Sequence, residues 1–275
     1  MDTRSTRSQH AKDYQELPQS IGVMVKRFED GHVIPVHTHE RDQLLYASNG
    51  LMRAKTETEA WVVPTDRAVY IPAGTAHSVS MHGEVEMCTL YISPHSFPEL
   101  PIGVCVLHIC GLLRELILAL STESIKFEPT DRAGIIARLI EIELGRSCEI
   151  ALYIPLPQDP RLKRLCNAIL DEPSSRRTLD GWADLVGGST RTLARLFENE
   201  LGMSFSNWRR RVRFYSALEA LSLGEPVAVV AQNHGYRSVS AFSAAFRKTL
   251  GLRPSDLHDP HLKDKRNEFQ GLCTR

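Results

Sequence analysis

The chain has 275 residues, 42% of them hydrophobic and 24% charged, with 33 Lys and Arg against 33 Asp and Glu. That is an ordinary globular composition, long enough for two domains. No apolar run approaches the roughly 20 residues a membrane helix needs. The polar start MDTRSTRSQHAKDYQE lacks the apolar stretch of a secretory signal. The six cysteines (Cys88, Cys105, Cys110, Cys148, Cys166 and Cys273) hold no CxxC pair, against a zinc ribbon or a disulfide framework. A cytoplasmic chain without a membrane partner is expected. The zero balance hides a polarity: residues 1–160 hold 14 Lys and Arg against 21 Asp and Glu, whereas residues 161–258 hold 15 against 9. A polyanionic partner is therefore expected for the second part only.

Residues 1–18 read as a flexible tail. From 19 to 105, short β-rich segments (IGVMVKRF, QLLYASNG, EAWVVP, RAVYIPAG, VEMCTLYIS) are broken by Gly, Pro and Asn, the pattern of an all-β barrel or sandwich. His37 and His39 are two apart, so on a strand they point the same way. His77 follows the turn Pro72-x-Gly74 and can meet them across a barrel. Three imidazoles suit one divalent transition metal (zinc, nickel, iron or manganese), with Gln43 or water at the fourth position. The alternative is a polar pocket without an ion. The spacing Gly31-x5-His37-x-His39-x3-Gln43-x6-Gly50, then Pro72-x-Gly74-x2-His77, resembles the two motifs of the cupin superfamily, except that Gln43 stands where those motifs carry glutamate. A small barrel has one cavity at its mouth, an effector site whose walls are expected to include Tyr46, Trp61 and Tyr70. His32, His82, His95 and His108 lack such spacing and read as structural or surface groups.

Residues 106–152 read as a helical connector. Leu112, Leu113, Leu116, Ile117 and Leu120 form one stripe; Ile135, Ile136, Leu139, Ile140 and Leu144 form another. These stripes suit either a homodimer seam or a cover for the barrel. YIPLPQDP (153–160), with three prolines, reads as an extended linker.

Residues 158–258 carry one supersecondary unit twice, with Ser189 and Ser238 49 residues apart. In the first unit Trp182, Leu185 and Val186 face inward from a short helix. Gly187 and Gly188 permit the turn, where positive φ is needed. Ser189 caps a second helix whose buried stripe is Leu193, Leu196 and Phe197, with Thr190, Arg191 and Arg195 opposite. In the second unit Pro226 opens the first helix and Gly235 makes the turn. Ser238 then caps a helix with Phe242, Phe246 and Leu250 buried, leaving Arg237, Ser240, Ser243 and Lys248 to solvent or DNA. FSNWRRRVRFYSALEAL joins the units as one helix. Helices of this kind enter the major groove of double-stranded DNA, reading bases with Arg and small polar residues and anchoring phosphates with hydroxyls and helix starts.

The stretches STRTLARLFENELGMSFSNWRRRVRF and AQNHGYRSVSAFSAAFRKTLGLRPSDL resemble the DNA-binding domain of the AraC/XylS regulators. The resemblance implies two helix-turn-helix subdomains on a long helix, promoter DNA and RNA polymerase as partners, and a small-molecule effector. It places base-facing positions at Thr190, Arg191, Arg195, Arg237, Ser240 and Ser243. The expected architecture is thus multidomain α+β: an all-β cupin-like barrel, a helical connector, an all-α double helix-turn-helix domain and a flexible tail at 259–275. A regulator rather than an enzyme is expected. A metal-dependent cupin enzyme with a helical appendage, or a protein–protein adaptor, remains the alternative.

Overall fold

The computed structural model describes residues 8–258 except 95, 148 and 151; the tail expected at 259–275, Cys148, Cys273 and His95 lie outside the described residues. Two compact units emerge, one of residues 8–56 and 63–152, the other of 57–62 and 153–258.

The first unit is built on β1 (Ile21–Phe28), β2 (Val33–His37), β3 (Asp42–Lys55), β5 (Arg67–Ile71), β6 (His77–Ile92), β7 (Cys105–His108) and β8 (Glu149–Ile150); β4 (Glu59–Val63) falls mostly in the second unit. The order is β1-β6-β3-β5-β7-β8, all antiparallel, with β2 also against β6. Register shifts between Ala47 and Leu51 bend the long β3·β6 pair, which is how a long antiparallel pair curls into a barrel.

Alternation along the strands divides the side chains between two faces. Leu44, Tyr46, Cys88 and Leu90 point outward into a core completed by α1 (Gly111–Ser121) and α2 (Arg132–Gly145). Leu113, Ile117, Leu120, Ile136, Ile140 and Leu144 are buried there, each contributing about 1.5–3 kcal/mol of transfer free energy. The two helices therefore cover the barrel, and the segment expected as a connector belongs to the barrel unit. Leu112, Ile135, Leu139 and Ile142 remain 42–56% exposed on the other side.

The start of the chain departs from expectation too. Residues 8–18, expected to be tail, dock on the barrel: Tyr14 is 0% exposed and Leu17 8%. Arg41 explains why, donating Nε to Gln15 O at 3.0 Å, Nη1 to Gln19 O at 2.9 Å and Nη2 to Leu17 O. Its buried guanidinium needs those carbonyls and so fixes the strap.

The second unit holds α3 (Pro160–Asp171), α4 (Leu179–Val186), α5 (Thr190–Leu201), α6 (Phe205–Ser222), α7 (Val227–Asn233), α8 (Val239–Leu250) and α9 (Ser255–His258). The stretch expected as an extended linker instead forms β9 (Ile154–Pro155), paired with Glu59 and Ala60 of β4. Leu156 N donates to Thr58 O at 2.7 Å, and Trp208 of α6, 0% exposed, donates Nε1 to Pro155 O at 2.8 Å.

Candidate nucleic-acid interface and histidine cavity

The two helix-turn-helix units are built alike. Thr178 caps α4, which ends at Val186; the chain turns at Gly187 (φ 75°), and Ser189 Oγ caps α5 by accepting from Thr192 N at 3.1 Å. In the second unit α7 ends at Asn233, Gly235 (φ 79°) makes the turn, and Ser238 Oγ caps α8 by accepting from Ala241 N at 3.2 Å. Side chains other than glycine are strained at such φ values. Leu193, Phe197 and Leu201 are buried on α5, and Phe242, Phe246 and Leu250 on α8. Leu196, expected in the buried stripe, is half-buried. Leu185, expected inward, is 58% exposed, because the helix rotation that buries Trp182 and Val186 carries it past their stripe.

An arginine from the helix preceding each unit braces its turn. Arg164 Nη2 on α3 donates to Val186 O at 2.7 Å, and Arg213 Nη2 on α6 donates to His234 O. Both carbonyls sit at helix ends, where intrahelical donors run out and the dipole is negative. Arg164 and Arg213 are 49 residues apart, the same interval as Ser189 and Ser238. A Cβ on Gly235 would come within 3.3 Å of Arg213 Nη2. Burial, aided by the Arg213 charge, pushes the pKa of His234 down to about 4 and keeps its ring neutral. The sequence signal for these braces was the repeat itself, extended one helix upstream.

The DNA-facing candidates divide by what they already hold. Arg191, Arg195, Arg237, Ser240 and Lys248 are exposed. Ser189 and Ser238 are committed as caps, Thr190 donates its hydroxyl to Asp180 Oδ1, and Ser243 is half-buried. Along α6 the arginines are mostly engaged. Arg209 donates to Arg177 O at 2.9 Å and stacks on Phe205, Arg210 donates to Asn207 Oδ1 at 2.7 Å, and Arg211 lies over the Tyr153 ring. An open cleft of about 600 Å³ is lined by Arg195, Glu198, Ser206 and Arg209.

Inside the first unit, His37 from β2, His39 just after it and His77 at the start of β6 converge, with ligand-capable atoms all within 4.8 Å of one another. Pro35 O lies 2.8 Å from His37 Nδ1 and Thr75 O lies 2.9 Å from His77 Nδ1. A carbonyl only accepts, so both Nδ1 atoms carry a proton, and Nε2 is the atom that each ring turns toward the cluster. His37 Nε2 and His39 Nε2 are 3.2 Å apart. Burial, then the neighbouring His37 and His77, push the pKa of His39 down to about 4; burial also lowers that of His77. Both rings are thus neutral, the form that binds metals. His77 Nε2 and Gln43 Oε1 are buried without a hydrogen-bond partner among the described residues. Three converging imidazoles and an orphaned amide oxygen fit a divalent transition ion.

His37, His39 and Gln43 line a cavity of about 500 Å³, together with Met24, Phe28, Leu45, Met87 and Tyr91. His32, read as a structural or surface group, is exposed and lines it as well, its ring centre 4.8 Å from that of Phe28. The aromatic residues expected in its wall are elsewhere. Tyr46 and Tyr70 lie in the core under α1 and α2, with Tyr70 Oη donating to Asp42 Oδ2 at 2.9 Å; Trp61 is buried in β4. A one-residue step along a strand changes the face: Gln43 and Leu45 look into the cavity, Leu44 and Tyr46 away from it. The cavity-facing members of β1, Met24, Lys26 and Phe28, were legible as alternating positions that no motif marked.

Paired helix-turn-helix units with exposed arginines, together with a separate barrel that holds a histidine-lined cavity, define a DNA-binding regulator with a sensor domain. Models of known families match the chain as a helix-turn-helix domain over residues 182–259 and as a cupin domain over 24–93. The HTH-type transcriptional regulator NimR of Escherichia coli (strain K12) is 36% identical over 225 residues, 80% of each chain. The arabinose operon regulatory protein of Salmonella typhimurium is 33% identical over 120 residues, 43% of each. Among solved structures, ToxT of Vibrio cholerae bound to an unsaturated fatty acid is 13% identical with a TM-score of 0.35, across 88% of this chain and 95% of that one. The chain belongs to the AraC/XylS family of helix-turn-helix transcriptional regulators, and its relatives regulate transcription. No helix among the described residues is long and apolar enough to cross a membrane.

Proposed function

We propose that the chain binds a bipartite promoter site through α5 and α8, under the control of a small molecule held in the barrel cavity. The observation that carries this is the repeated recognition helix, serine-capped after a glycine turn and exposing Arg191 and Arg195 in one copy and Arg237, Ser240 and Lys248 in the other. Arginine forks suit guanine edges, while Lys248 and the helix starts suit phosphates. Family membership supports a site beside RNA polymerase. The inward Nε2 atoms of His37 and His77, His39 and the oxygen of Gln43 support a divalent ion such as zinc, which would supply a Lewis-acidic centre for an effector's polar group.

A homodimer fits the apolar face left on the barrel's helices. α2 buries Ile136 and Ile140 yet exposes Ile135, Leu139 and Ile142 at helical spacing, so it is apolar on both sides. Selection of the purified full chain against random duplex DNA tests the central reading. Two short enriched blocks about one helical turn (~10 base pairs) apart are expected. No enrichment with or without zinc, or a single block insensitive to changes in α8, refutes it.

A further inference from the structure

The cavity in the first unit has a charge character that its histidines do not explain. None of the residues lining it is acidic. Lys26, half-buried on β1, faces inward between Met24 and Phe28 at the period of the strand, and Lys12 stands at the rim. The Lys26 ammonium lies 5.0 Å from the centre of the Phe28 ring and has no ion pair among the described residues. A half-buried ammonium ordinarily takes a carboxylate partner, since desolvation without one is costly. Here the carboxylate is lacking while the surrounding wall is apolar: Leu45, Val79, Met87 and Tyr91.

We infer that the cavity takes a small organic acid, its carboxylate at Lys26 and its apolar body against Phe28, Met87 and Tyr91. This deepens the reading of the cavity as an effector site and rests on it. A volume of about 500 Å³ admits a molecule with one ring and a short chain. The Lys26 charge gives an acid an advantage over its neutral isostere that does not depend on a metal at the histidines.

Calorimetric titration of the full chain, dialysed against a chelator, with 3-phenylpropanoate and its neutral isostere 3-phenylpropanamide tests this. The acid is expected to bind about ten-fold or more tightly than the amide, the advantage of a charge-assisted hydrogen bond. In Lys26→Met, with folding checked by thermal melting, the ratio falls to near one, and Lys26→Arg restores it. Equal binding of the two probes, or an acid preference that survives Lys26→Met, overturns the assignment. Failure of both probes to bind at millimolar concentration overturns it as well. DNA selection on the same preparation reads the promoter-binding proposal separately, so the two can fail independently.

Discussion

Replacing the two turn-bracing arginines with methionine keeps the apolar stem of each side chain and removes the guanidinium. Arg213 is half-buried, and burial lowers its pKa, so its bond to the His234 carbonyl is made with little competing water. A hydrogen bond from a charged donor is worth about 1.5–3 kcal/mol in that setting, and the helix-end dipole adds about 0.3–1 kcal/mol. Arg164 makes the same bond to Val186 O at 2.7 Å from an exposed position. Solvent screening brings its value down to about 0.5–1 kcal/mol. For a helical unit of this size 1 kcal/mol corresponds to about 4 °C in Tm. Arg213→Met should therefore lower the melting midpoint by roughly 7–16 °C and Arg164→Met by about 2–4 °C. The second readout is motif selection resolved by half-site. Loosening the α7–α8 turn should blur only the block read by α8, and loosening the α4–α5 turn only the block read by α5. Arg213→Lys keeps one donor and should recover part of both effects. Equal midpoints for the two variants, or a blurring of both blocks by either one, would sink the idea that each unit is braced by its own arginine.

Arg191→Ala should relax base preference at one position at a cost of about 1–3 kcal/mol; an unchanged motif by selection and sequencing removes Arg191 from the readout. His77→Ala should weaken zinc binding by more than about ten-fold in equilibrium dialysis, because a ligand and not merely its support is lost; unchanged stoichiometry and affinity would clear the trihistidine cluster of metal binding. Trp208→Phe leaves the Pro155 carbonyl without its 2.8 Å donor and should cost about 1–3 kcal/mol in chemical denaturation of the helical unit. Leu139→Glu, on the exposed face of α2, should shift the chain to monomer in sedimentation while changing stability by less than about 0.5 kcal/mol; an unaltered mass would show that this face joins no second copy.

The helix-turn-helix units were legible in the sequence because their determinants are local. Ser189 and Ser238 as caps, Gly187 and Gly235 as turns, and Phe197, Phe242 and Phe246 at helical spacing act within a few residues of themselves. The meeting of His37, His39 and His77 could also be anticipated from the two-residue spacing of the first pair and the turn before the third, although β2 ends at His37 and His39 lies just beyond it. Tertiary structure decided what depends on long-range register and on competition for partners. The face of β3 that looks inward follows from its pairing with β6 and β5, which turns Tyr46 and Tyr70 toward α1 and α2 and opens the cavity to Gln43, Leu45 and Tyr91. Arg41, a surface residue by type, is buried because the carbonyls of Gln15, Leu17 and Gln19 satisfy it, so the supposed tail becomes part of the fold. Arg164 and Arg213 became braces because helices distant in sequence bring carbonyls at helix ends within their reach, 22 and 21 residues along the chain. Local chemistry wrote the elements into the sequence, whereas the partners of each exposed-looking charge were fixed only when the chain closed on itself.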